Sequence, residues 1–323
     1  MLNKNLAIAT AGVTIALSTG LLLPSATAAQ SFDRIYVFGD SLSDIGNVYE
    51  ATDKENPLSP PYFKGRYSNG PVWVEYLASD LKLPLNLNNN FAYGGATTGN
   101  SQSVPLGVLA QIEKFKASKS TSDRNPLYII WAGANDYLGG GIDTTVPVNN
   151  LTSAVKSIAA VGGKNIVVVN LPDLGKLPGT RTTERATLLS NLTAKHNSEL
   201  AAAIDNLRQQ LNPDIKLKYL DVNSIFNQVS SNPSKYGFTN VTEPCFKVPI
   251  KCSNPDRYLF WDNIHPTTAA HKLLVELGSP TITDRPKSSN FSIPLFTIVL
   301  TALIFSILGF GLIAKRRKNS KNK

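Results

Sequence analysis

Short runs of consecutive apolar residues alternate along the chain with longer stretches whose apolar residues return every three or four positions. The runs "RIYVF" (34–38), "LYIIWAG" (127–133) and "NIVVVNL" (165–171) are apolar throughout and rich in β-branched residues, which predicts strands buried on both faces and therefore parallel. "IKLKYLDV" (215–222) alternates apolar with polar positions and predicts an edge strand, and a shorter strand is expected to lead into "NFAYGG" (90–95). Helical periodicity falls at 71–81, 104–118, 148–161, 184–211 and 267–278, with Pro71 in the first turn of the first and Gly278 closing the last. Strand followed by helix, repeated, predicts an α/β fold of three layers, α/β/α, around a central parallel sheet in one domain spanning 29–278.

The two ends carry a different pattern. Residues 6–23 are uncharged, follow Lys4, and lead through Pro24 to the small-x-small triplet Ala26-Thr27-Ala28, so 1–28 reads as a signal peptide, with an uncleaved anchor as the alternative. A polar linker (279–290) precedes 24 uncharged residues (291–314), which as a helix span about 36 Å and suffice to cross a bilayer. The basic tail 315–323 follows at once, as in a stop-transfer segment with its tail in the cytoplasm. The same order, without a Pro-Glu-Pro element, resembles a bacterial PEP-CTERM sorting signal that is cut after export. The expected product is an exported chain held to the membrane by its C-terminal helix, or one secreted or surface-sorted after that helix is removed.

The formal charge of +9 comes mostly from those ends: Lys4 supplies one charge and the 315–323 tail six, leaving about +2 for residues 29–314. That near-neutral body excludes the basic stripe of a nucleic-acid binder. Cys245 and Cys252, with six residues between them, read as a disulfide in an exported protein, worth about 2.5 kcal/mol by loop entropy; two free thiols are the other reading. With three histidines and no ligand cluster, no metal is expected, and no organic cofactor either.

Candidate chemistry gathers where the predicted strands end. Ser41 follows the first strand, Gly94-Gly95 the short second one, and "GAND" (133–136) the next. In an open α/β sheet these turns share one edge, where ligands bind. A serine nucleophile needs a base and the base an orienting group. His265 lies just before the last helix and Asp262 three residues earlier, a spacing that on a helical turn places both on one side. Asp40 and Asp44 read as partners of turn amides, Arg66 as a salt-bridge residue, His196 and His271 as bystanders on helices, and Trp73, Trp131 and Trp261 as core aromatics, Trp261 being placed to wall a pocket beside Asp262.

"VFGDSLSD", "AYGGAT", "GAND" and "DNIHP", in that order, resemble the blocks of the GDSL (SGNH) hydrolases over about 34–278, and "GRYSNGPVWVEYLA" and "CSNPDRYLFWDNIHPTTAAH" resemble its secreted lipase/esterase branch. The resemblance implies a flavodoxin-like sheet and a serine ester hydrolase. Ser41 matches the nucleophile, His265 the base and Asp262 its partner. Ser41 N–H, at a helix N-terminus, Gly95 N–H and the Asn135 amide match the oxyanion donors. The implied substrate is an acyl ester of a lipid or small alcohol. A carbohydrate O-deacetylase on the same scaffold, or a non-catalytic surface-binding module, are the other readings.

Overall fold

In the computed structural model, residues 31–118 and 123–284 are described. Four parallel strands form one sheet in the order β1 (Ile35–Gly39), β2 (Leu127–Trp131), β3 (Asn165–Val169) and β4 (Lys216–Leu220). The first three are buried at every position, as their unbroken apolar runs predict, whereas β4, at the end of the strand order, is buried only at Leu217 and Leu220, one on each face. The short strand expected before Gly94 is reduced to a single parallel bridge, Val37 to Asn90, on the free side of β1. The backbone still follows β1 there: Val37 N–H donates to Asn89 C=O at 3.0 Å, Phe91 N–H to Val37 C=O at 2.7 Å and Tyr93 N–H to Gly39 C=O at 3.1 Å, and the Asn90 side chain donates to Ser43 C=O at 2.8 Å.

The helices are α1 (Asn47–Ala51), α2 (Trp73–Leu81), α3 (Val108–Ser118), α4 (Ala134–Leu138), α5 (Thr145–Ala160), α6 (Ala186–Gln210), α7 (Val222–Ser231) and α8 (Thr268–Thr283). Strand pleating sorts the core into two halves. Ile35, Val37, Ile129, Trp131 and Val167 meet α2 and α8 on one face, while Tyr36, Phe38, Ile130, Ile166 and Val168 meet α3, α5 and α6 on the other. This is the expected three-layer arrangement. A third apolar cluster, built from Tyr137, Leu171, Leu174, Leu189, Leu259 and Phe260, meets the first through Ile225 and Phe226 and includes residues next to the segment that carries Asp262 and His265.

Two short pairings complete the described chain. The strands β5 (Asn240–Pro244) and β8 (Tyr258–Phe260) run parallel, and between them β6 (Phe246–Lys247) and β7 (Ile250–Lys251) make an antiparallel hairpin. Cys245 and Cys252 are joined in a disulfide across the hairpin base, with Cα atoms 4.9 Å apart.

The last helix runs five residues past its expected end. Gly278 is a packing glycine and not a cap: a Cβ there would stand 3.2 Å from Leu220 Cδ1. The helix continues because Ile282 is core, and it stops at Asp284 in a left-handed conformation, where Lys218 Nζ donates to Ile282 C=O at 2.9 Å. The start of the proposed linker is therefore helical. The signal peptide, the apolar run 291–314 and the basic tail lie outside the described residues, and among the described residues no helix is long and apolar enough to cross a membrane.

Candidate active site

The Asn90 segment lies on one side of β1 and β2 on the other, so the chain reverses its winding direction between β1 and β2. The carboxyl ends of those two strands flank the crevice where open α/β sheets bind ligands. Ser41 follows β1 and Asn135 follows β2.

The end of β1 is held by an unusual partner. The Gln111 side chain, buried on α3, accepts Gly39 N–H at 2.8 Å and donates to Gly39 C=O at 2.8 Å. Gly39 lies so close to β2 that a Cβ would stand 2.1 Å from Trp131 O, so only glycine fits. The chain then turns once, with Ser43 and Asp44 N–H both donating to Asp40 C=O at 3.0 Å. This turn does not continue as the helix expected to begin at Ser41; α1 starts at Asn47. The reason is Asp44, whose buried carboxylate accepts from Gly46, Asn47 and Val48 N–H and so starts the helix six residues later. Asp44 also accepts Gly94 N–H at 2.8 Å, which ties the Ser41 turn to the Gly94-Gly95 turn.

Asn135 joins the third turn to the second. Its Nδ2 donates to Ala96 C=O at 2.9 Å, and the neighbouring Asp136 carboxylate accepts Thr98 N–H at 3.0 Å and Thr98 Oγ1–H at 2.8 Å. Gly95 adopts φ +83°, a conformation that favours glycine. Neither Ser41 N–H nor Gly95 N–H has an acceptor among the described residues, and Asn135 Nδ2 keeps a second hydrogen after serving Ala96. Three donors are thus held at the ends of three tied turns.

Opposite them stands the Asp262–His265 segment. Ser41 Oγ lies 2.9 Å from His265 Nε2, and His265 Nδ1 lies 2.7 Å from Asp262 Oδ2. Ser41 and His265 are each 8% exposed. The spacing of three was expected from a helical turn, but the segment is a tight loop. Asp262 Oδ1 accepts Ile264 N–H at 2.8 Å and His265 N–H at 2.7 Å, and Trp261 N–H donates across the loop to His265 C=O at 2.7 Å. The carboxylate thus folds the loop and holds the ring with the same group. Burial alone would raise the Asp262 carboxyl; the His265 ring, the Tyr62 hydroxyl and the Ile264 amide outweigh it and bring it down to about 2. Asp40 has fewer such partners, and burial pushes it up to about 7 against the Leu42 amide and the nearby His265 ring.

Tyr62 is a residue that pattern reading missed. Its hydroxyl donates to Asp262 Oδ2 at 2.7 Å from a loop 200 residues away in sequence. Gln111 was missed as well, since a polar residue on a helix carries no mark of its partner. Arg66 pairs with Glu75 at 2.7 Å, as its salt-bridge reading expects. Trp261 does not wall the pocket: it is buried behind the wall, stacked on Phe246 with ring centroids 5.5 Å apart. His196 and His271 are buried, and neither is a member of the relay.

A cleft of about 1120 Å³, mostly apolar, opens beside the relay. Residues 56–62 and 246–249 form its sides, and Tyr67 and Asp262–His265 its inner end. A second cavity of about 30 Å³, no larger than a water-sized group, lies at Ser41 and Asn135 and is closed by Leu138, Leu174 and Leu177. A serine hydroxyl bonded to an imidazole, which is bonded to a carboxylate, beside free amide donors, has the parts needed for acyl transfer.

Several known proteins are similar to this chain. The chain is 29% identical over 314 residues to a phosphatidylcholine-sterol acyltransferase of Aeromonas hydrophila, covering 79% of this chain and 92% of that one. It is 27% identical over 274 residues to a thermolabile hemolysin of Vibrio parahaemolyticus, covering 78% of this chain and 64% of that protein's length. A carbohydrate acetylesterase structure from Sinorhizobium meliloti overlays with a TM-score of 0.45 at 16% identity, over 75% of this chain and 94% of that one. The pattern of the GDSL-like lipase/acylhydrolase family matches residues 35–277, most of the chain, and the protein therefore belongs to that family of serine ester hydrolases.

Proposed function

We propose that this chain hydrolyses acyl esters through an acyl-enzyme on Ser41, and that its preferred esters carry an apolar chain. The observation that carries the reading is the relay from Ser41 Oγ through His265 to Asp262, at 2.9 and 2.7 Å. With its proton on Nδ1 and donated to Asp262, His265 leaves Nε2 to accept the Ser41 proton. Ser41 Oγ attacks the ester carbonyl carbon, and the carbonyl electron pair moves onto oxygen. That oxyanion is held by Ser41 N–H, Gly95 N–H and Asn135 Nδ2, which are already fixed and need no reorganisation. Collapse expels the alcohol, which takes the proton from His265. Water then gives a proton to His265, attacks the acyl carbon, and releases the acid with Ser41 restored. The apolar lining of the large cleft suits the chain of the ester, and the small cavity at Ser41 suits only a compact group.

We also propose export, with the domain held outside the cytoplasm, on the strength of the 1–28 and 291–323 sequence patterns. One experiment serves both proposals: p-nitrophenyl ester hydrolysis by the full chain and by Ser41→Ala, on purified protein and on intact cells before and after external protease. The variant is expected to stay folded and lose about 10³-fold or more in kcat. Activity within about tenfold of the parent removes Ser41 from the chemistry. Activity on cells that survives protease removes the external location.

A further inference from the structure

Most large apolar side chains of the described residues are buried; of the eight exposed ones, five, Ile142 among them, lie on other segments, and three stand on the segments that flank the large cleft. The two most exposed, Val248 at 84% and Ile250 at 73%, sit together on the β6–β7 hairpin. Leu58, 66% exposed, stands on the other side-forming segment of the large cleft, which Val248 also lines. The cleft that ends at His265 therefore begins at an aliphatic rim.

This hairpin is braced. The Cys245–Cys252 disulfide closes its base, and Cys252 N–H donates to Cys245 C=O at 2.7 Å. Cys245 and Phe246 N–H donate to the Phe260 and Trp261 carbonyls at 3.0 and 2.7 Å, and Phe246 stacks on Trp261. A fixed support that presents aliphatic groups to water adds nothing to the core beneath it, and an exposed apolar patch of this kind marks a contact surface. Between the two cysteines the sequence is Phe-Lys-Val-Pro-Ile-Lys; Lys247 pairs with Glu243 at 2.8 Å, whereas Lys251 has no ion pair among the described residues.

We propose that Leu58, Val248 and Ile250 form a lip that seats the mouth of the cleft on the surface of aggregated lipid. Lys251, which has no ion pair among the described residues, meets the phosphate groups of that surface, and an acyl chain passes into the cleft without crossing water. A protein docked on the same lip would cover the entrance that the substrate uses, whereas a fluid lipid phase covers the lip and supplies the ester. The proposal rests on the acyl-ester reading above and names where that substrate is drawn from.

The test follows the rate of the full chain on p-nitrophenyl esters of increasing length, each taken through its solubility limit. It compares the parent with Ile250→Asp. Ile250 does not line the cleft, so the substitution alters the lip and leaves the chemistry in place. The parent rate is expected to rise at least about fivefold as the ester passes from dissolved to aggregated; Ile250→Asp is expected to lose that rise and keep p-nitrophenyl acetate hydrolysis within about twofold. No rise in the parent, or a rise that Ile250→Asp retains, overturns the lip. So does an equal loss on dissolved and aggregated ester, which makes the hairpin a structural brace. If the parent hydrolyses no ester at all, it is the esterase reading that fails. Flotation of both proteins with phosphatidylglycerol vesicles then decides the lip: weaker association of Ile250→Asp supports it, and equal association overturns it.

Discussion

Asp262 accepts four hydrogen bonds, and only one comes from His265 Nδ1. Two backbone amides fold the loop, and Tyr62 fixes the oxygen that faces the imidazole. Tyr62→Phe keeps the ring, which lies edge-on to Trp261 and Phe246 at centroid distances of 6.5 and 6.2 Å, and removes only the hydroxyl. The expected result is a kcat lower by about three- to tenfold, near 1 kcal/mol, with KM for a short ester unchanged. A rise in KM at constant kcat would make Tyr62 a wall of the cleft and no more. At this scale the sequence is legible where a residue sits in a turn whose shape limits what can occupy it. Ser41, Gly95, Asp262 and His265 lie in such turns and Asn135 just past one, in the first turn of α4, and the structure brings them to one edge. Tyr62 and Gln111 are illegible because each acts by meeting a distant segment, and neither periodicity nor spacing encodes that meeting.

The strands and long helices of the sheet are readable because each buries a continuous or periodic apolar face. The elements around the site are not. The helices α1 and α4 have five residues each, too short to show a period, and the β6–β7 hairpin has two residues per strand. Their shapes come from single contacts: Asp44 starts α1, Asp136 holds the Thr98 loop against α4, and the disulfide closes the hairpin. The junction of β1 with the Ser41 turn depends on the absent side chain of Gly39. In Gly39→Ala the new methyl meets the Trp131 carbonyl at 2.1 Å, and β1 must move off β2 or the Gln111 clasp must break. A loss of about 2–3 kcal/mol is expected, read as a fall in Tm and in denaturation midpoint. Because the shift carries Ser41 with it, activity should fall further than the folded fraction does. An unchanged Tm would mean that the β1–β2 contact gives way freely.

Across the whole molecule, three buried groups tie stability to pH, and they pull in opposite directions. Neither ring nitrogen of His271 has a partner among the described residues, and burial lowers it to about 3; burial also lowers His196 to about 4, although Tyr137 Oη lies 2.8 Å from its Nδ1. Between those values and the ordinary histidine value of about 6.5, the unfolded chain binds protons that the folded chain refuses. Each histidine therefore removes stability as pH falls below about 6.5, by at most about 1.4 kcal/mol per pH unit. Asp40 is raised to about 7, so from about 4 to 7 the folded chain keeps a proton that the unfolded chain releases, and this group removes stability as pH rises. The net curve mixes these with other buried carboxyls, but differences between variants separate them. His271→Leu fills the same buried space without a titrating ring, so its Tm should fall less steeply than the parent's from pH 7 to pH 4. Asp40→Asn keeps an oxygen to accept Leu42 N–H and cannot ionise, so its Tm should fall more steeply over the same range. Thermal unfolding at half-unit pH steps compares the three proteins. Parallel Tm curves would show that neither buried group changes its protonation on unfolding, and slopes that differ from the parent's in the same direction for both variants would show that burial does not set the Asp40 and His271 values as described.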